Sequence, residues 1–354
     1  MDVRTEFSQL LSEIESEMRS VLEERDGRAR PLYEMLAYHL GLDQPDGPRG
    51  KRVRPLLGLL AYRALTGDHR PALPGAAAVE LGHNFSLVHD DIEDADRERR
   101  HRPTLWAIWG IPLAINAGDA LFALSRLALY RLIGEGFSER AVLGVMRVYD
   151  ETCLALCEGQ FLDISFERRP EVSVEEYLEM IDKKTAALIG ASLEAGAILA
   201  TDDVRTGAAF RRIGLDLGLA FQMADDVKGT FWASSVSGKP EAGDVRRRKK
   251  TMPVVWAIAN AATRDADRLR ELYRAPGGDG TDGPGATTPS STAPMAERDV
   301  DEVLEILERC GAREHTLAEA RRYRDLALDG IERLRVPDAR RAELAALVSA
   351  VIAA

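Results

Sequence analysis

Hydrophobic residues recur at spacings of three and four along most of this chain, which is the period typical of amphipathic helices. The first segment shows the pattern at Phe7, Leu10, Leu11, Ile14 and Met18. Equivalent patterns extend over residues 53–66, 73–92, 112–134, 138–166, 174–200, 204–230, 252–273, 298–310, 314–334 and 338–352. The sequence has no sustained alternation at the period of two that strands show. We therefore predict an all-α fold built as a helical bundle.

One segment of the chain differs in composition from the rest. Residues 275–294 consist almost entirely of Gly, Pro, Ser, Thr, Ala and Asp, and such a segment cannot bury a core. We predict a disordered loop over residues 275–297. The helical patterns after this loop are short enough to close the same bundle, so we predict a single domain over residues 1–354.

Composition and charge narrow the class of protein. The chain has 354 residues, of which 45% are hydrophobic and 30% charged, as in ordinary soluble domains. The net charge of -11 argues against a general nucleic-acid-binding surface. Three cysteines without metal-type spacing favour a reducing compartment. The acidic N-terminus does not resemble a signal peptide, and no uncharged apolar stretch is long enough to span a bilayer. We expect a cytoplasmic protein without a membrane span or a nucleic-acid partner.

An acidic motif follows one of the predicted apolar helices. The stretch "LVHDDIEDADRERRHRPT", residues 87–104, places Asp90 and Asp94 four residues apart, hence on one helix face. Crowded carboxylates repel each other unless a cation lies between them. Mg²⁺ typically takes one or two carboxylates, while phosphates and water complete its coordination. On its own such a motif is more often a solvated helix end, but it is also what half of a Mg²⁺–phosphate site would need.

A second acidic pair makes a metal site the better interpretation. The stretch "GLAFQMADDVKGTF", residues 218–231, places Asp225 and Asp226 at the end of another apolar helix. Two such motifs facing each other across a bundle could hold several Mg²⁺ ions around one polyphosphate. Arginine and lysine side chains bind the oxygens of such a ligand, and they are bunched at residues 49–54, 97–102, 183–184 and 239–250.

These motifs, in this order, resemble those of the trans-isoprenyl diphosphate synthases, also called polyprenyl synthetases. The resemblance covers roughly residues 30–335. It rests on "RGKRVRP", "ELGHNFSLVHDDIEDADRERRHRPT", "GQFLD", "KKTAALI", "FQMADDVKG" and "GKPEAGDVRRRKKTMP". Each match alone is weak, whereas six in the family's order are highly specific. The resemblance implies the isoprenoid synthase fold, a single-domain helical bundle around a central cavity.

The resemblance also implies roles for individual residues. Mg²⁺, expected as three ions per active site, would be bound by Asp90, Asp91, Asp94 and Asp225, with Asp226 in support. The allylic diphosphate would be bound by Arg99, Lys184, Lys239 and Lys249. The second substrate, isopentenyl diphosphate, would be bound by Lys51, Arg54, His83 and Arg100. Gln160 and Thr185 would line the cavity near the reacting carbons.

The implied reaction is Mg²⁺-dependent condensation of an allylic diphosphate with isopentenyl diphosphate, which releases pyrophosphate. Two alternatives share the fold: a class I terpene cyclase and a non-catalytic regulatory subunit of a prenyl synthase. A cyclase would not need the residues assigned to isopentenyl diphosphate, and a regulatory subunit would be expected to lose the first acidic motif. Both features therefore favour chain elongation. A homodimer is implied by the family alone.

The second acidic motif departs from the family's D-D-x-x-D pattern, because Gly229 stands at the third aspartate position. The favoured interpretation is that this aspartate is dispensable, with Asp225 and water holding the third metal. The variant Gly229→Asp would then change the Mg²⁺ requirement modestly and leave the product unaltered. The alternative is a changed reaction. The C-terminus also lacks the basic tail that often helps close the active site in this family. The alternative is that the basic residues 246–250 close it.

Product length is expected to depend on the helix that carries the first motif. Phe85 lies five residues before Asp90, about 7.5 Å along the helix axis, and Ser86 beside it is small. In similar enzymes a lone aromatic residue at this position is associated with a C20 product. We therefore predict geranylgeranyl diphosphate as the main product, with C15 farnesyl diphosphate as the alternative. The competing interpretation is that Phe85 only fills the core.

Overall fold

The computed structural model describes residues 3–23, 27–44, 49–232, 242–274 and 294–353. The regular structure in these ranges is almost entirely helical, which confirms the predicted all-α fold. The helices are α1 (Val3–Glu6), α2 (Ser8–Glu23), α3 (Arg30–Leu40), α4 (Val53–Thr66), α5 (Leu73–Glu93), α6 (Leu105–Trp109), α7 (Ile111–Tyr130), α8 (Glu139–Glu167), α9 (Val174–Ile181), α10 (Ala187–Thr201), α11 (Val204–Phe231), α12 (Gly243–Arg246), α13 (Met252–Asn260), α14 (Thr263–Leu272), α15 (Glu297–Arg309), α16 (Ala312–Glu332) and α17 (Asp338–Ala353). Short 3-10 turns at Arg70–Ala72 and Arg131–Ile133, a π-helical segment at Asp182–Ala186, and an antiparallel hairpin of β1 (Glu98–Arg99) and β2 (Arg102–Pro103) complete the described elements.

Helical periodicity located most of these helices but not all of their breaks. The predicted helix over residues 174–200 is interrupted by the π-helical segment. The predicted helix over residues 252–273 is two helices, α13 and α14, which are separated at Ala261 and Ala262. Helix α3 was not predicted, although Met35, Leu36 and Leu40 form its buried face.

The chain folds into two compact units, each built from several separate stretches of sequence. Unit 1 comprises Met1–Cys153, Leu188–Gly214 and Leu328–Ala354, and unit 2 comprises Leu154–Ala187 and Leu215–Ala327. The first acidic motif belongs to unit 1 and the second to unit 2. The single domain remains a prediction.

Helix α5 lies at the centre of unit 1 and packs against α2, α4 and α7. Every residue from Ala76 to Leu81 is buried, as expected for a helix that is apolar all round. Because this helix is fixed along its length, the acidic residues at its C-terminal end have a rigid base.

Unit 2 has two apolar clusters. One includes Tyr177, Met223, Met252 and Val255 and surrounds the end of α11 that carries the second acidic motif. The other joins α13, α14 and α15 and includes Met295. Met295 is 3% exposed and α15 begins at Glu297; both residues fall within the loop predicted over residues 275–297. Residues 275–293 of that predicted loop lie outside the described residues.

Among the described helices, one stretch passes a length-and-composition test for crossing a bilayer: Ile111–Ile133, with a mean hydropathy of 1.2. It contains Asp119 and Arg126. A single stretch of this kind is weak evidence and does not suggest a membrane span.

Candidate active site

The first acidic motif lies where α5 ends, with Asp94 as the C-cap residue. Asp90 and Asp94 are half-buried, whereas Asp91 is 2% exposed. Negative charge at a helix C-terminus costs roughly 0.3–1 kcal/mol per group, because it opposes the helix dipole. The placement therefore does not stabilise α5, but it would suit a bound cation.

Asp91 is held by an arginine of the hairpin that follows. The Nε and Nη2 atoms of Arg99 lie 2.8 and 2.7 Å from Oδ1 of Asp91. Burial raises the pKa of Asp91 to about 7, although the Arg99 charge and hydrogen bond lower it. Thus two of the residues predicted to bind different ligands, Asp91 and Arg99, bind each other in this structure.

The hairpin presents Arg99 and Arg100 through an unusual turn. Arg100 and His101 have φ angles of 53° and 60°, the left-handed conformation that a type I′ turn requires at both central residues. Asn-Gly normally occupies such a turn, and side chains with a Cβ pay roughly 1–2 kcal/mol per residue. Strained backbone of this kind is often associated with function. Arg102 anchors the hairpin by its 2.7 Å ion pair with Asp43.

A cluster of cations lies within unit 1 beside this hairpin. Nη1 of Arg54 is 3.2 Å from Nε2 of His83. Burial, together with the charges of Arg54 and Arg100, lowers the pKa of His83 well below its usual value. Burial also lowers the pKa of Arg100 to about 10. Burial disfavours the charged forms of His83, Arg54 and Arg100, and a bound anion would stabilise these charged forms. Lys51 is exposed nearby in sequence.

Two residues near this cluster were missed by sequence reasoning. Arg52 is 3% exposed and its Nη1 atom donates to Oε1 of Glu80 at 2.6 Å, so this arginine of "RGKRVRP" is part of the core. Burial and the charges of Arg100 and Arg99 lower the pKa of His39 to about 3. Nothing in the sequence distinguishes Arg52 from the neighbouring basic residues. Only its contact with Glu80 of α5 shows that it belongs to the core.

The second acidic motif, like the first, pairs a buried aspartate with a half-buried one. Asp226 is 5% exposed and accepts hydrogen bonds from the Tyr177 hydroxyl at 2.5 Å, Nε2 of Gln222 at 2.9 Å and the backbone N–H of Met252 at 2.8 Å. Burial raises the pKa of Asp226 to about 7, although these hydrogen bonds lower it. Asp225, one residue earlier, is half-buried.

Other predicted residues of unit 2 lie on the π-helical segment and on α8. Lys184 donates to Oδ2 of Asp163, the aspartate of "GQFLD". Burial raises the pKa of Asp163, but the charges of Lys184 and Lys249 outweigh it and hold the value below normal. The Thr185 hydroxyl donates to Oε1 of Gln222 at 2.7 Å, which links it to Asp226. A π-helical segment is frequent at functional sites, and here it carries both Lys184 and Thr185. Gln160 is half-buried on α8.

The space beside Gly229 is occupied by another carboxylate. A Cβ atom at this position would lie 1.9 Å from Oδ2 and 2.7 Å from Cγ of Asp244, a residue of α12. No side chain fits there unless Asp244 moves. The structure therefore gives a steric reason for glycine at the third position of the motif.

The remaining predicted residues lie in or near the segment before α13. Lys249 is half-buried, and its backbone N–H donates to the carbonyl of Asp244. Arg246 pairs with Glu297 and Lys250 donates to the carbonyl of Tyr273, so these members of the basic segment 246–250 bind within unit 2. Lys239 lies outside the described residues.

The donor atoms present fit Mg²⁺ better than a softer metal. In the described part of the chain, no three His, Cys, Asp or Glu side chains converge to form a metal site by themselves. Each acidic motif instead offers one or two half-buried carboxylates. Oxygen ligands in that number are what Mg²⁺ takes when substrate phosphates and water complete its octahedron.

Comparison with known proteins identifies the family of this chain. Residues 32–282 match the family model for polyprenyl synthetases. A (2E,6E)-farnesyl diphosphate synthase of Mycobacterium tuberculosis is 37% identical over 95% of this chain and 89% of its own. A geranylgeranyl diphosphate synthase of the same species is 45% identical over 70% of each chain. The crystal structure of a geranylgeranyl pyrophosphate synthetase from Pyrococcus horikoshii superposes with a TM-score of 0.85 at 30% identity, over 99% of this chain and 98% of the other.

The chain belongs to the polyprenyl synthetase family. Within that family it is a trans-prenyltransferase, a synthase of short-chain prenyl diphosphates.

Proposed function

We propose that the protein condenses an allylic diphosphate with isopentenyl diphosphate, in a Mg²⁺-dependent reaction, to form geranylgeranyl diphosphate as the main product. Farnesyl diphosphate is the alternative product. The observation that carries the proposal is the cluster of Arg54, His83 and Arg100 next to the acidic end of α5. It supports two diphosphate sites rather than one, and only chain elongation needs two.

The half-buried aspartates are proposed to hold the metals. Asp90 and Asp94 of the first motif, with Asp91, and Asp225 of the second, with Asp226 in support, would bind up to three Mg²⁺ ions. When bound, Mg²⁺ would neutralise the charge that builds on the leaving pyrophosphate. Asp226 is fixed by three hydrogen bonds, which would hold its neighbour Asp225 in one orientation.

The basic residues are proposed to position the two substrates. Arg99, Lys184, Lys239 and Lys249 would bind the allylic diphosphate, and Lys51, Arg54, His83 and Arg100 would bind isopentenyl diphosphate. The ion pairs Arg99–Asp91 and Lys184–Asp163 fix the positions of two of these cations, which supports the proposal. Binding would then require less loss of side-chain entropy. Gln160 and Thr185 would lie along the path of the reacting carbons.

We also propose that the protein acts as a homodimer in the cytoplasm. Ile111, Leu113 and Ile115 of α7 are 48%, 50% and 44% exposed, and clustered exposed apolar side chains mark protein interfaces. Light scattering coupled to size exclusion would give twice the monomer mass. Cys153, Cys157 and Cys310 are thiols, which supports a reducing compartment.

The direct test is incubation of the purified protein with Mg²⁺, isopentenyl diphosphate and dimethylallyl, geranyl or farnesyl diphosphate, with products identified by mass. Synthesis of a longer linear diphosphate would support the proposal. A terpene cyclase would consume the allylic diphosphate without isopentenyl diphosphate, and a regulatory subunit would form no product.

A further inference from the structure

His39, one residue before the end of α3, uses one ring nitrogen for a hydrogen bond and leaves the other unpaired. The ring donates to the backbone carbonyl of Asn84 on α5. Its Nε2 atom is shielded from solvent and has no hydrogen-bond partner among the residues that the structure describes. Because the pKa of His39 is lowered to about 3, the ring is neutral at physiological pH and Nε2 carries a lone pair. His39 therefore places a neutral hydrogen-bond acceptor inside unit 1.

Arg100 offers an unpaired donor in the same region. Its Nη1 atom is also shielded from solvent and lacks a hydrogen-bond partner in the described part of the chain. After burial, the charge of Arg100 has the largest effect on the pKa of His39, which indicates that the two side chains are close. The guanidinium lies against the backbone of Gly50, where a Cβ atom would be 2.8 Å from Nη2 and 3.0 Å from Cζ. This close approach brings Arg100 beside the loop that carries Lys51.

His39 and Arg100 line the same small cavity. Its volume is about 20 Å³, and its lining also includes Arg99. A cavity needs roughly 10–15 Å³ to hold one water molecule, and that water needs about two to four polar partners. The acceptor at Nε2 and the donor at Nη1 would be two such partners, and each would otherwise remain buried and unpaired at a cost in free energy. A diphosphate is too large for this cavity, so the cavity can support a side chain but cannot bind the substrate.

The carboxylates that act on Arg100 through their charge are bound by other arginines. Asp91 pairs with Arg99, and Glu80 accepts a hydrogen bond from Arg52. A carboxylate bound directly to Arg100 would offset the positive charge that attracts an anion. A neutral imidazole can orient the guanidinium and leave its full charge for charge-assisted hydrogen bonds to a diphosphate.

We propose that His39 positions Arg100 for isopentenyl diphosphate by accepting a hydrogen bond from Nη1 through one water molecule held in this cavity. The proposal rests on the proposed function, which assigns Arg100 to that substrate. His39 acts through Arg100 and not on the substrate itself. Without the acceptor the guanidinium is free to rotate, and substrate binding must then order it at a cost in side-chain entropy. The effect should therefore appear in the affinity for isopentenyl diphosphate.

The test is the Kd of isopentenyl diphosphate, measured by titration calorimetry without an allylic substrate, so that no turnover is needed. His39→Leu removes the acceptor and should weaken binding about tenfold, or about 1.4 kcal/mol, as expected for a lost hydrogen bond to a charged group. His39→Gln is neutral, keeps an acceptor and should recover most of this loss. In an Arg100→Met background, His39→Leu should cause no further loss, because the group through which it acts is absent.

Two controls separate this role from a general structural one. The Kd of geranyl diphosphate, measured with Mg²⁺, should be the same in His39→Leu as in the unaltered protein, because Arg99 is held by Asp91. Each variant is compared only if its urea transition is cooperative, and His39→Met, which is closer in size to histidine, replaces His39→Leu if that variant does not fold. A crystal structure of the unaltered protein should show a water within hydrogen-bonding distance of Nε2 and Nη1.

Four results would overturn the proposal: normal affinity for isopentenyl diphosphate in His39→Leu, equal losses in His39→Gln and His39→Leu, an equal effect of His39→Leu with and without Arg100, or a cavity that holds no water. Failure of the proposed function is distinguishable from these results. In that case the unaltered protein itself would not bind isopentenyl diphosphate, and the inference about His39 would fail with it.

Discussion

The close contact between Gly229 and Asp244 makes a quantitative prediction about the second acidic motif. Sequence reasoning led us to expect that Gly229→Asp would only modestly change the Mg²⁺ requirement. In the structure a Cβ atom at position 229 would lie 1.9 Å from Oδ2 of Asp244. We now expect that the main effect of the substitution is to destabilise the protein, rather than to change metal binding.

The size of the effect follows from opposing contributions. Replacing a helical glycine by alanine normally stabilises a protein by roughly 0.5–1 kcal/mol. Forcing extra atoms into a filled space costs about 1–3 kcal/mol, so Gly229→Ala should be neutral or mildly destabilising. An aspartate adds the repulsion of two carboxylates, about 4 kcal/mol at 4 Å and an effective dielectric constant of 20, which rotation of either side chain would reduce. Gly229→Asp should therefore lower the free energy of unfolding by about 2–5 kcal/mol.

Urea unfolding of four proteins tests this reasoning: the unaltered chain, Gly229→Asp, Asp244→Gly, and the double variant that moves the carboxylate from α12 to α11. The double variant should recover most of the loss, which gives a coupling free energy above about 1 kcal/mol for residues in contact. A Gly229→Asp protein as stable as the unaltered one, or single effects that simply add, would refute the steric account.

Three further predictions concern unit 1. Asp90→Ala should abolish turnover while leaving the urea midpoint unchanged or higher. Removing a carboxylate from a helix C-terminus stabilises the helix by roughly 0.3–1 kcal/mol. Near-normal turnover in a folded variant would contradict the proposed metal site. Arg52→Met should lower the free energy of unfolding by about 3–5 kcal/mol, since it leaves Glu80 buried without its cation, and a loss below 1 kcal/mol in the same urea assay would contradict this role. The pKa of His39 is lowered to about 3, so between pH 6.5 and 3 the unfolded chain binds a proton that the folded chain does not, and stability falls with falling pH. From pH 6.5 to 5 this contributes about 2 kcal/mol; the decrease should be smaller by that amount in His39→Gln, and an identical decrease would show that His39 is accessible to protons.

The sequence predicted those parts of the fold that depend on regular spacing. Apolar periodicity over residues 53–66, 73–92 and 204–230 located α4, α5 and α11 within one residue, because burial of one or more faces imposes a helical period. The hairpin at residues 98–103 carried no such signal. Its turn uses Arg100 and His101 at positive φ, where sequence rules expect Asn-Gly.

Long-range contacts set the limits of prediction within the candidate site. "RGKRVRP" contains several basic residues of similar type, and only the contact with Glu80 shows that Arg52 belongs to the core. Asp244 lies fifteen residues beyond Gly229 in the printed sequence, and nothing local indicates that its carboxylate fills the space of the missing side chain.

The two aspartate doublets share a division of roles that the sequence could not assign. Adjacent residues on a helix point about 100° apart, so when one side chain of a doublet faces the core, its neighbour lies at the boundary. Asp91 and Asp226 are the buried members, and burial raises the pKa of each to about 7 while Arg99 or Tyr177 binds its carboxylate. A carboxylate that is already desolvated and bound contributes little further charge to a metal, but it fixes the helix turn from which its neighbour projects. Asp90 and Asp225 are therefore the members of each doublet that we expect to contribute most to Mg²⁺ binding, and the buried partners are expected to set the direction from which they do so.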